Sequence, residues 1–319
     1  MRRGEIEDMK FFYAAAVTLL AANGFAAADP GLLNLVMPDA KVVAGIDVQK
    51  TLASPFGKYL LAEFPINNNA LVQFASATGF DFRTDLTQIV TASDAAQNSR
   101  DGLVLARGTF EPARFFNLAA FAGSAKETYL GIDLLTTPQG ALAFPDGSTA
   151  IFGTMDMVKG AIDRFNAHAA FAGQLASQVQ AVSAASEAWV VTAAPLSTWL
   201  PQNDPQRPGL GGLLNRLGSI QDTAFSLQLG TDAVTLSGKA TTGSDQDAQT
   251  LAGILKFAVG MMLSNQGRNP QAGQAATLFQ NAQFSANGPV LQLSLSVPEQ
   301  QMEQLVSQPH TRKVAKRQF

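Results

Sequence analysis

Apolar and polar positions along this chain repeat one phrase: an apolar run, a break at Gly, Pro or Asn, then apolar residues at helical spacing. Ser148–Phe165 states it most clearly. Its apolar run ends at Gly153-Thr154, after which Met155, Val158, Ile162 and Phe165 recur on one helical face. Thr154 stands where a hydroxyl can cap the first turn. The phrase starts with a strand at Lys41–Ile46, then a helix opened by Ser54-Pro55 with Leu52, Phe56, Leu60 and Phe64 on one face. A second helix from about Asn69 turns Leu71, Phe74 and Ala75 inward. Leu86–Ser93 and Leu103–Gly108 read as a hairpin, Glu111-Pro112 opens a helix, and strands follow near Thr128–Thr136 and Ala141–Phe144.

The second half restarts at Trp189. After a short helix over Pro195–Leu200 and a loop at Gln202–Gly212, Thr223–Leu229 and Ala233–Thr241 form a hairpin, and Ser244 with Asp247 makes a capping box. That box opens a long helix faced by Leu251, Ile254, Leu255, Ala258 and Met262. Asn269-Pro270 opens another. Asn287-Gly288 joins the last hairpin, and Ser296 with Glu299 reads as a second box. Strand-to-helix switches fall near residues 42, 103 and 148, then near 188, 234 and 289. The predicted fold class is therefore α+β: two tandem duplicated units of βα-ββα-ββα pattern, antiparallel sheets, helices packed on one face. The expected organisation is a signal peptide over 1–28, a first unit over 29–170, a connector over 171–187, a second unit over 188–308 and a disordered basic tail over 309–319.

The signal peptide rests on Lys10, the apolar run from Phe11, and Ala26-Ala27-Ala28, which places cleavage before Asp29. Met9 would make a better start than Met1, because Glu5–Asp8 is acidic. No other run spans a bilayer: Ala252–Leu263 is too short and contains Lys256. The expected location is the periplasm or the exterior, with no stable membrane span after cleavage.

Composition narrows the chemistry. The chain has 319 residues and no cysteine, which excludes disulfides, thiolate metal sites and cysteine nucleophiles. Outside the leader and the tail, 15 basic and 22 acidic side chains leave a net −7, which argues against nucleic acid. Neither His168 nor His310 has a triad partner, and no G-x-S-x-G is present. Gly209–Gly212 lacks the strand and Lys of a phosphate loop. No cofactor is expected. Two candidate sites remain. Asp81 and Asp85, with Arg83 between them, are the candidate metal ligands. The phenylalanines are the candidate ligand-binding residues: 13 of 21 fall between Phe56 and Phe171, and the neighbours Phe115 and Phe116 cannot share one narrow helical stripe. Phe115, Phe116 and Phe121 are thus candidates to line an apolar groove.

Four strings, PDAKVVAG (38–45), TGFDFRTD (78–85), ARGTFE (106–111) and ALAFPDGS (141–148), resemble an uncharacterised family of predicted secreted bacterial proteins. The resemblance lies mainly in the first half. This chain departs from the pattern at Phe82, where the family has Pro, and at Glu111, where it has Asp. It implies export and a shared fold, with no reaction or site residues. The functional expectation is non-enzymatic binding of an apolar small molecule or a protein partner. The alternatives are a carboxylate-based metal-dependent hydrolase and an envelope structural protein.

Overall fold

The computed structural model describes residues 28–63, 69–95, 102–121, 124–138, 140–195, 217–264 and 278–307, without the side chains of 69–71 and 118–121. The leader through residue 27, the tail, the Gln202–Gly212 loop and the helices expected at Pro195–Leu200 and after Asn269 lie wholly or mostly outside the described residues.

Helix α1 (Pro30–Leu33) precedes strand β1 (Val42–Asp47). Helices α2 (Val48–Ala53), α3 (Pro55–Glu63), α4 (Asn69–Thr78) and α5 (Phe82–Asp85) follow. Next come β2 (Leu86–Ser93), β3 (Gly102–Gly108), α6 (Pro112–Phe121), β4 (Ala125–Tyr129), β5 (Ile132–Thr137), β6 (Gly140–Asp146), β7 (Thr149–Gly153) and α7 (Met155–Asn166). Helix α8 (Gln174–Ser183) leads to β8 (Ala188–Thr192), β9 (Ile220–Leu229), β10 (Ala233–Thr242), α9 (Asp245–Ser264), β11 (Gln283–Asn287), β12 (Val290–Pro298) and α10 (Glu299–Val306).

The twelve strands among the described residues form one antiparallel sheet, in the order β11-β12-β10-β9-β8-β1-β2-β3-β7-β6-β5-β4. The two halves therefore share a sheet, joined where β1 pairs with β8. From that seam outward the order is β1-β2-β3-β7-β6 on one side and β8-β9-β10-β12-β11 on the other. The first half adds a hairpin, β4–β5, where a single strand was expected. Leu130 (φ 48°) and Gly131 (φ 82°) make its two-residue turn, of the left-handed kind that matches strand twist.

Helices pack on both faces, not on one as expected. Alternation along β1 proves it. Val43 points toward Val158 and Ile162 of α7 and Val179 of α8, whereas Ile46, three residues on, points toward Val48 of α2. The α7 face carries α1, α7 and α8. The opposite face carries α2, α3, α6, α9 and α10. The expected connector is correspondingly part of the core: Leu175 and Val179 of α8 are buried on the sheet.

Local capping explains several boundaries. Ser244 accepts from the Asp247 amide (3.1 Å), the first bond of the predicted box, but the Asp247 carboxylate accepts from the Ser244 hydroxyl (2.8 Å) in place of the Ser244 amide. The second box does not form. Ser296 remains in β12, where Thr235 donates to it (3.2 Å), and α10 starts after Pro298. Thr154 occupies the N-cap of α7 but makes no side-chain cap bond.

Candidate functional site

Four of the five predicted site residues have described side chains, and each of those makes local contacts. Asp81 caps α5: its carboxylate accepts from the Arg83 amide (3.0 Å) and pairs with the Arg83 guanidinium (2.7 Å). The Arg83 hydrogen bond outweighs slight burial and lowers the Asp81 pKa. The Asp85 carboxylate reaches back to the Asp81 amide (2.7 Å) and accepts from the Thr84 hydroxyl (3.1 Å). Both carboxylates thus close one four-residue helix. Among the described residues no group of three or more His, Cys, Asp or Glu side chains is placed to hold a metal ion. His168 is exposed and ends α7 in the left-handed conformation (φ 49°); its amide and that of Ala169 bond Phe165 and Arg164.

Phe115 is 9 % exposed and sits in an aromatic cluster with Phe74, Phe80, Phe110 and Phe144 under α6, its ring 4.9 Å from that of Phe144. Phe116 is half-buried against Phe144, with the Lys126 ammonium 5.3 Å from its ring centre. The side chain of Phe121 lies outside the described residues. Three of the resemblance strings meet in this cluster, through Phe80, Phe110 and Phe144. Phe80, Phe110, Phe115 and Phe144 pack together there, and Phe116 lies at the edge of the cluster.

The surface that differs from ordinary core or rim lies elsewhere, on the α7 face. Cross-strand register defines two rows of side chains running the width of the sheet. One reads Leu134, Ala143, Ile151, Leu105, Val90, Gly45, Trp189, then Ser226, Ser237, Ser294, Gln283. The next reads Ala141, Gly153, Leu103, Ala92, Val43, Val191, Ala224, then Lys239, Gln292, Ser285. Each is apolar beneath α1, α7 and α8, and each turns polar within one or two strands of the seam.

The cause is the last helix of each half. After β7 the chain carries α7 onto this face, while after β12 it carries α10 onto the opposite one, against Phe56, Leu229 and Val234. The Tyr59 hydroxyl holds α10 there by donating to the Glu303 carbonyl (3.0 Å). Among the described residues only α8 borders the second-half face, and no helix lies across it. It holds two adjoining depressions, about 400 and about 450 Å³, which share Gln283 and Ser294. Ala181 and Val182 of α8, with Ala185 just beyond it, wall the first, and Asn281 and Pro298 bound the second. The α8 wall is tied down by Gln178, which donates to Asp222 (3.0 Å), and by Gln228, which donates to the Ala185 carbonyl (2.6 Å).

Hydroxyls, amides and one cation share this floor with Ala224, Ala233 and Leu293. Among the described residues no carboxylate forms an ion pair with Lys239. Such a surface donates and accepts hydrogen bonds. A signal for it does exist in the sequence. Leu291-Gln-Leu-Ser-Leu-Ser-Val297 alternates strictly, the mark of a strand with one wet face, whereas Val42-Val-Ala of β1 is continuously apolar, the mark of a strand buried on both faces.

Among the described residues no helix is long and apolar enough to cross a membrane. No family model matches the chain, and no curated protein does. Its fold is similar to that of solved structures of TP0453. Crystal form III superposes with a TM-score of 0.52 at 14 % identity, over 88 % of this chain and 98 % of that one. Crystal form IV gives 0.50, also at 14 % identity and with the same coverage. At that identity the likeness is one of fold alone.

Proposed function

We propose that this is an exported, non-enzymatic binding protein of the periplasm or exterior, and that its ligand is a protein partner laid on the bare polar face of β9, β10, β12 and β11. One observation carries the reading: among the described residues, the sheet face that helices cover in the first half is open in the second, floored by Ser226, Ser237, Lys239, Ser294 and Gln283 and walled by α8. Serine and glutamine hydrogen-bond peptide groups in either direction, and Lys239 favours an acidic side chain on the partner. Of the two ligands expected from the sequence, a polar partner suits this floor better than an apolar molecule.

Export is supported by the leader and by the family resemblance. Cleavage after Ala28 would leave Asp29 first. That residue already has a seat: its amide donates to Gln88, and its carboxylate caps α1 and pairs with Arg107 (2.8 Å). We also infer an internal duplication, supported by the equal strand orders on the two sides of the seam.

The test is photo-cross-linking in the exporting cell with a benzophenone side chain at Ser237. A discrete adduct of fixed mass, lost when Ser294→Trp fills the floor, is the expected result. A chain that begins at Asp29 but yields no adduct would leave export standing and sink the binding reading.

A further inference from the structure

The sheet has two edges, and they differ in kind. The β4 edge, AKETY, carries Lys126 and Glu127; Lys126 pairs with Asp133 (2.7 Å) and Glu127 with Lys159 of α7 (2.6 Å). Charges on an edge strand are the usual guard against pairing with another chain. The β11 edge, QFSAN, has no charge and no proline, and among the described residues it has no second strand neighbour. We propose that this edge pairs with the β11 of a second copy, antiparallel about a two-fold axis through Ser285.

Backbone polarity fixes that register. The Pro289 carbonyl accepts from Thr242 of β10. Residues alternate in the direction their amide and carbonyl point, so Val290, Gln292 and Ser294 turn toward β11 and bond Asn287, Ser285 and Gln283. The groups left facing outward are those of Phe284 and Ala286. An axis through Ser285 places Phe284 opposite Ala286 of the other copy, and Ala286 opposite its Phe284. All four outward groups on each copy then bond, with Ser285 facing Ser285 as a pair without backbone hydrogen bonds.

Side chains agree with the same axis. Gln283 meets Asn287, Ser meets Ser, and Phe meets Ala, so polar residues share one face and apolar residues the other. The equivalent axis on β4 would set Glu127 against Glu127, which like-charge repulsion disfavours. Charge and register therefore select one edge and one partner, a second copy of this chain. The two bare faces would become one continuous surface. This inference does not depend on the binding reading above.

The chain contains no cysteine, which makes the test clean. Facing residues in a pair without backbone bonds have Cα atoms about 4.5 Å apart, within disulfide reach. The full chain should sediment as a dimer. Ser285→Cys should form a covalent dimer on mild oxidation, while Lys126→Cys on the other edge should not. Ala286→Pro removes an outward amide, which an edge strand tolerates, and should leave a folded monomer. Ser285→Lys should also give a monomer, and mixing it with Ser285→Glu should restore the dimer. A wild-type chain that sediments as a monomer would overturn the proposal, as would a dimer untouched by Ala286→Pro in a protein with unchanged circular dichroism.

Discussion

On its α7 face the sheet is two surfaces meeting at a seam. Beneath α1, α7 and α8 the first half presents Ile151, Leu105, Leu103, Val90 and Val43, none of them exposed. In the second half the matching rows present serine, glutamine and lysine, which no helix crosses among the described residues. Strand order is the same on both sides, so sheet topology does not determine which face becomes core. That depends on the last helix: α7 crosses to one face and α10 to the other. The strands follow suit, continuous apolar runs where two faces are buried and strict alternation where one is wet.

The largest expected effect tests this contrast directly. Ile151 on β7 and Ser294 on β12 lie in the same row, on the last strand before the terminal helix of each half. Ile151→Ala removes side-chain volume from beneath α7 and should cost about 2–5 kcal/mol in chemical denaturation. Ser294→Ala should stay within about 0.5 kcal/mol, the usual range for a surface change. If Ser294→Ala destabilised as much as Ile151→Ala, the second-half face would have to be covered after all.

A smaller effect sits at the seam. Trp189 is fully buried and its ring lies over Gly45, where an added Cβ would fall 2.4 Å from it. Glycine in a strand normally costs about 0.5–1 kcal/mol relative to alanine, so Gly45→Ala would stabilise if the space were free. Overpacking reverses the sign, and a loss of about 1–3 kcal/mol is expected. Gly238 on β10 is crowded in the same way by Phe225, at 2.6 Å, on the opposite face. Phe225 is only half-buried and its ring can swing aside, so Gly238→Ala should cost less. Equal losses in the two variants, measured as midpoint shifts in urea, would mean that the second half is as tightly closed as the seam.

Much of the fold is legible in the chain, and the failures have physical causes. The last hairpin and the Ser244 cap act through neighbours in sequence, and both form, although the hairpin turns at Gly288-Pro289 with Asn287 still paired to Val290. The Ser296 box fails because β12 keeps Ser296 paired with β10, a contact 61 residues away. The β4–β5 hairpin was hidden because Leu130 takes a left-handed conformation usually left to glycine or asparagine. Helix faces could not be assigned because an amphipathic helix records only that one side is buried, not which side of a sheet buries it. Phe115 poses a related difficulty: apolar clustering in sequence looks the same for a core and for a groove, and only packing shows that it is buried. The bare face was readable in the alternation of β10 and β12, but only by comparison with β1.

The smallest effect concerns acid, and it should carry opposite signs in the two halves. Asp29 clasps α1 to the covered face through Arg107 on β3. Burial works against its ionisation, but the Arg107 hydrogen bond and charge, with the amides of Leu32 and Gly31, outweigh it and hold the carboxyl below its ordinary 3.8. A lowered carboxyl pKa contributes stability that is present above the unfolded value and is lost as pH falls through the folded one. Glu299, at the start of α10, differs: slight burial and the charges of Glu303 and Asp232 raise it above its ordinary 4.5. Its contribution is favourable below that value and is lost as pH rises through the folded one. Taking the protein from about pH 6 to about pH 3 should therefore loosen α1 and β3 while easing the start of α10. Amide hydrogen exchange reads both regions in one experiment. Asp29→Asn cannot ionise, so its difference from the native chain should be widest near neutrality and close as pH falls below 3.8. A gap that held constant with pH would show that the clasp works by shape and hydrogen bonding alone, and the covered half would then owe nothing to charge.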